Sequence, residues 1–140
     1  MPVDRLLVKQ RLALISTCLT ELEALSLLPR EEFLNARTAA SAESFLRRAL
    51  EAVFDIGRHI LAKNGGTDMA MEYKGIALGL GRMGIVTADL QLQLVKMAGY
   101  RNRLVHLYHQ VSNDELHEII RTDLDDIRRF KDQILAYISG

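Results

Sequence analysis

Apolar residues recur along this chain at helical intervals. Val8, Leu12, Ile15, Leu19 and Leu22 step by four, three, four and three, the seam of an amphipathic helix. The pattern predicts a helix over about residues 4–26, with Asp4 near its N-cap. Leu27-Leu28-Pro29-Arg30-Glu31-Glu32 reads as a turn. Pro29 suits a first helical position, and the paired glutamates suit the positive end of the next helix. A second seam of Ala42, Phe45 with Leu46, Ala49, Val53, Ile56 and Ile60 predicts a helix starting between Glu31 and Thr38. It runs to about Lys63, where Asn64-Gly65-Gly66 stops it.

Between residues 67 and 84 the signal weakens. Tyr73, Ile76, Ala77 and Leu80 keep helical spacing, but Gly75, Gly79 and Gly81 interrupt them, each costing about 1 kcal/mol relative to alanine inside a helix. The expectation is a short helix held by packing, closed by Gly84, with glycines where helices approach closely. Their spacing fits neither a dinucleotide fingerprint nor a phosphate-binding loop. Thr87-Ala88-Asp89 caps a fourth helix with Leu90, Leu94 and Met97 along one side. Gly99 marks a kink or a close contact there, and the helix continues to about His109. Ser112 with Glu115 forms a capping box. A last helix follows almost to Ser139, carrying Leu116, Ile120, Leu124, Ile127, Phe130, Ile134 and Ile138. No strand pattern or internal repeat interrupts this series. The fold class predicted is all-α, a single domain over 1–140 built as an antiparallel bundle of about five helices.

Composition narrows the class further. The chain has 140 residues, 49% hydrophobic and 26% charged, which is globular composition and enough length for a core. Lys+Arg and Asp+Glu number 18 each. That balance argues against a protein coating nucleic acid non-specifically, yet leaves room for a local basic pocket. The single cysteine, Cys18, excludes an intrachain disulfide and reads as a small core residue in an apolar stripe. No run is long enough to span a membrane, and the start lacks a signal-peptide layout. The expected location is cytoplasmic.

Chemistry concentrates in Gly99-Tyr100-Arg101-Asn102-Arg103-Leu104-Val105-His106-Leu107-Tyr108. At 100° per residue, Arg101 and Tyr108 lie about 20° apart around a helix, and Asn102 and His106 share a neighbouring stripe. Arg101 and His106 are about 140° apart. They converge either if the guanidinium curls round, or if two copies of the helix face each other across a two-fold axis. We favour the second arrangement, a homodimer. Arginine offers a planar, always-charged fork for phosphate, and histidine moves protons near neutral pH. Without metal ligands or a serine or cysteine nucleophile nearby, the pair suits metal-independent cleavage of an RNA phosphodiester. The 2′-hydroxyl attacks, and the protein supplies proton transfer and a cation. Asn102 holds the imidazole tautomer or contacts the phosphate. The bland alternative is a buried, satisfied His106 with Arg101 in a structural ion pair. His106, His109 and His117 lack a well-spaced carboxylate or cysteine set, so no metal site is expected; no cofactor is either. Glu51 and Asp55, four apart, read first as a solvated helix face.

The segment from Arg101 to Tyr108 matches Arg-x4-His-x-Tyr and resembles the motif of the HEPN superfamily in its HepT-type toxin branch. Arg82-Met83-Gly84-Ile85-Val86 before a capped helix, Met97-Ala98-Gly99 before the motif, and Ala49 to Ile56 are similar to that family as well. The likeness covers nearly the whole chain; the glycine-rich third helix matches least. The resemblance implies a bundle dimerising through the motif helix, and a ribonuclease toxin of a type VII toxin–antitoxin pair. It makes Arg101 and His106 the catalytic pair and Asn102 the polar residue that commonly follows the arginine. It also implies a partner, an MntA-type minimal nucleotidyltransferase antitoxin, which transfers AMP onto Tyr108. Two dimers joined by such a partner would form a larger hetero-oligomer. In that setting Glu51 and Asp55 become supports for the catalytic groups. A different class stays open: a non-catalytic helical adaptor that binds a nucleotidyltransferase or a nucleotide, which the neutral charge favours.

Overall fold

A computed structural model describes residues 2–66, 72–106 and 111–140, with His106 described by its backbone alone. Among these residues there are seven α-helices and no strand. α1 spans Arg5–Ser26, α2 Arg30–Phe33, α3 Ala36–Lys63, α4 Tyr73–Arg82, α5 Ala88–His106, α6 Asn113–Thr122 and α7 Leu124–Ser139.

The first seam folds as its spacing requires. Val8, Leu12, Ile15, Cys18, Leu19 and Leu22 are all buried along α1, and Asp4 caps it by accepting from the Leu7 amide at 3.1 Å. α1 lies antiparallel to α3: the Asp4 amide donates to His59 Nε2 at 2.9 Å, and Arg11 pairs with Asp55 at 3.8 Å. At the far end of α3, Gly65 takes φ +80°. Its amide donates to the Ala62 carbonyl, and that of Gly66 donates to the Leu61 carbonyl, the crossed pair that satisfies orphan carbonyls at a helix end. Gly84, at φ +71°, ends α4 in the same way, with Ile85 donating to Leu80.

The count of about five helices is corrected at two places. Residues Arg30–Phe33 form a one-turn helix with Pro29 as its N-cap rather than its first helical residue; it seats Phe33 fully in the core. The last helix is broken at Asp123. There the Thr122 hydroxyl meets both the Glu118 carbonyl at 2.9 Å and the Asp123 carboxylate at 3.1 Å. The Asp123 carboxylate turns toward Tyr100 and Lys96 of α5.

Close helix approach occurs at a glycine outside the expected set. A Cβ added at Gly57 of α3 would sit 2.5 Å from Ile76 Cγ2 and 3.0 Å from Leu80 Cδ1. Gly57 therefore lets α4 settle onto α3. Gly81 faces α5, where a Cβ would meet only the flexible end of the Gln91 side chain. Gly99 makes no such contact among the described residues; it is exposed and faces open space. No described helix is long and apolar enough to cross a membrane.

Candidate active site

The motif helix is anchored at both ends of its described length. Thr87 caps α5 by accepting from the Leu90 amide at 3.2 Å. Gln133 of α7 holds that cap, accepting from the Thr87 amide at 3.0 Å and donating to its hydroxyl at 3.3 Å. Leu90, Leu94, Met97 and Ala98 fix the inward face in the core.

Arg101 and Arg103 are about 200° apart around the axis, so they leave α5 on opposite sides. Arg103 forks onto Glu115 of α6, at 2.7 and 2.6 Å. This bidentate bond holds the Glu115 carboxyl below the ordinary carboxylate range. Glu115 thus completes only half of a capping box: its amide donates to Ser112 Oγ at 3.1 Å, while its carboxylate serves Arg103. On the same side Tyr100 is pushed up from 10.0 to about 12, first by burial and then by its hydrogen bond to Asp123.

Arg101 turns the other way. Its Cζ lies 4.1 Å from the centroid of the Tyr73 ring, a cation–π contact. Tyr73 opens α4 and meets Phe54 edge-on at 5.1 Å. Arg58 approaches the same ring at 5.4 Å. Asn102, between the two arginines in sequence, is exposed.

Of the other expected site residues, Asp55 pairs with Arg58 at 4.0 Å, which places it three contacts from Arg101, through Arg58 and the Tyr73 ring. Glu51 pairs with Arg47 at 3.6 Å. The His106 side chain, Tyr108 and His109 lie outside the described residues. His117 is buried, stacked on Phe33 at 4.4 Å, with Nε2 3.2 Å from the Leu28 carbonyl. Cys18 is buried, and burial raises its thiol pKa. Among the described residues no group of three His, Cys, Asp or Glu side chains gathers to hold a metal. Sequence reasoning missed Tyr73 and Arg58 as neighbours of Arg101, and Glu115 as the partner of Arg103. Only the charges of Arg103 and Glu115, both in flagged segments, offered a signal.

This is a helical bundle that fastens a motif helix on one flank and stacks its first arginine on an aromatic ring on the other. The chain belongs to the HepT-like ribonuclease family, whose model matches residues 15–134. It is 26% identical over 137 residues to the tRNA nuclease HepT of Aphanizomenon flos-aquae, covering 97% of this chain and 92% of that protein. It is 30% identical over 91 residues to the mRNA nuclease HepT of Shewanella oneidensis, covering 65% of this chain and 68% of that protein. Its fold matches the tri-AMPylated HEPN toxin of Shewanella oneidensis, solved in complex with MNT antitoxin. The TM-score is 0.81 at 24% identity, over 97% of this chain and 99% of that one.

Proposed function

We propose that this protein is a metal-independent endoribonuclease toxin of a type VII pair, acting as a homodimer with Arg101 and His106 in a shared cleft. The observation that carries the reading is the intact Arg101-x4-His106-x-Tyr108 series in a chain of the HepT-like ribonuclease family. In the reaction the 2′-hydroxyl oxygen bonds to phosphorus as the bond to the 5′-oxygen breaks. The hydroxyl proton passes to one imidazole and a proton is returned to the leaving oxygen, giving a cyclic phosphate and a free 5′-hydroxyl. Arg101 offsets the charge that grows on the non-bridging oxygens, and Asn102 orients the imidazole or the phosphate.

The exposed side of α5 supports dimerisation through that helix. Leu92 is 68% exposed, and Gly99 stands about two turns on, with open space before it. An exposed helical glycine costs about 1 kcal/mol relative to alanine, which a second backbone at close range would offset. The partner proposed is an MntA-type nucleotidyltransferase antitoxin that places AMP on Tyr108. Near a catalytic arginine, a bulky anionic adenylate would fill the cleft and engage the guanidinium. Toxin and partner would meet in the cytoplasm, with this chain as a single domain.

Purified protein incubated with RNA tests the reading. Cleavage should persist in EDTA and vanish in the Arg101→Ala, His106→Ala double variant; metal-dependent cutting, or cutting by that variant, overturns it. Intact mass of protein co-expressed with the nucleotidyltransferase should rise in steps of AMP, located to Tyr108. A chain that cuts no RNA and leaves growth unaffected without its partner would instead be the helical adaptor.

A further inference from the structure

We infer that Tyr73 is a positioning residue for the reaction, the platform that sets the direction of the Arg101 guanidinium. This rests on the ribonuclease reading, with Arg101 as the charge-stabilising group. An arginine on a helix surface samples many rotamers, and freezing it costs about 2 kcal/mol of side-chain entropy. Here the guanidinium lies 4.1 Å from the face of a ring that is itself fixed. The ring is half-buried, edge-on to Phe54 at 5.1 Å, in the first turn of α4. The position of α4 is in turn set by Gly57, where any Cβ would collide with Ile76. Close packing thus runs from the core of α3, through α4 and Tyr73, to the motif arginine on α5.

The same ring carries a second cation, Arg58, at 5.4 Å. Two guanidiniums on one ring repel. Asp55, 4.0 Å from Arg58, offsets the outer one and so favours both staying in place. A ring orients a cation without adding a negative charge. Orientation of that kind acts on the transition state more than on binding, because a loosened Arg101 still attracts phosphate but no longer meets the developing charge in line.

The test compares Tyr73→Leu, which keeps bulk but loses the π-face, with Tyr73→Phe, which keeps both, in the full chain. Circular dichroism verifies that each folds. In wild type the Arg101 Nε–H proton resonance, assigned with Arg101→Lys, should be shifted upfield by the ring current. Tyr73→Phe should keep that shift and wild-type kcat on RNA. Tyr73→Leu should lose it, with kcat down about tenfold and KM within about twofold. An unshifted wild-type resonance overturns the platform, even where the leucine variant fails to fold. Wild-type kcat in a folded Tyr73→Leu protein overturns its role in the reaction. Absence of RNA cleavage by the wild type is a separate result, which removes the ribonuclease reading whatever the resonance shows.

Discussion

Arg101 and Arg103 stand two residues apart on one helix and are held by different physics. Arg103 is matched to a carboxylate, a fork onto Glu115 that ties α5 to α6. Arg101 is laid on an aromatic ring that belongs to α4. A carboxylate contact offers a guanidinium a matched pair of acceptors, whereas a ring contact offers it a flat face. One flank of the motif helix thus carries a carboxylate fork and the other a contact with an aromatic ring, and spacing alone distinguishes neither.

The largest effect that would break this contrast is on the Arg101 side. Arg101→Lys keeps the charge and loses the fork, and should lower kcat/KM on RNA by on the order of 10²-fold. Arg103→Lys is expected to leave kcat within a fewfold. Equal losses would mean that both arginines meet the substrate.

Next in size is Gly57→Ala. Its Cβ would sit 2.5 Å from Ile76 Cγ2, and overpacking of this kind costs about 1–3 kcal/mol. A thermal melt should show the lowered Tm. Activity should fall as well, because α4 carries Tyr73; an unchanged Tm would mean that Ile76 relaxes freely.

Glu115→Gln sharpens the other flank. The pair is about one-third exposed, so solvent screening limits its contribution to below about 1 kcal/mol. Because the Glu115 pKa is lowered on folding, its stabilisation is present above the ordinary carboxylate range. It is lost as pH falls through the depressed folded value. Acid unfolding of Glu115→Gln should therefore begin from a slightly lower stability at neutral pH and converge on wild type at low pH. A constant offset at every pH would assign the effect to packing.

The smallest expected effect is spectroscopic. Tyr100, raised from 10.0 to about 12, favours the neutral phenol in the fold. That stabilisation holds below about pH 10 and is lost as pH climbs toward about 12. Ultraviolet titration should show one tyrosine ionising last, absent in Tyr100→Phe.

Much of this architecture was legible before any coordinates. The α1 seam and the Asp4 cap, the end of α3 at Asn64-Gly65, and the Thr87 cap of α5 all follow from local chemistry, which a sequence displays directly. The break at Asp123 does not. Ile120, Leu124 and Ile127 stay in helical phase across it, while Asp123 is engaged by Tyr100 and Lys96 of α5, which no local pattern displays. Gly57 is equally silent, since its reason lies in Ile76 on another helix. Of the site, the motif helix and its two arginines could be read from spacing. The Tyr73 platform could not, because it joins residues far apart in sequence through packing that no periodicity encodes.

The cap at the start of α5 has a temporal side. Gln133, whose amide grips Thr87, is translated well after the motif that α5 carries. A growing chain therefore possesses its motif helix before the side chain that pins its first turn exists. Chains ending ahead of Gln133 should show fast exchange of the Thr87 amide, and the full chain slow exchange. Full anchoring of the motif helix would then arrive only at the end of synthesis, when the last turns of α7 have been made.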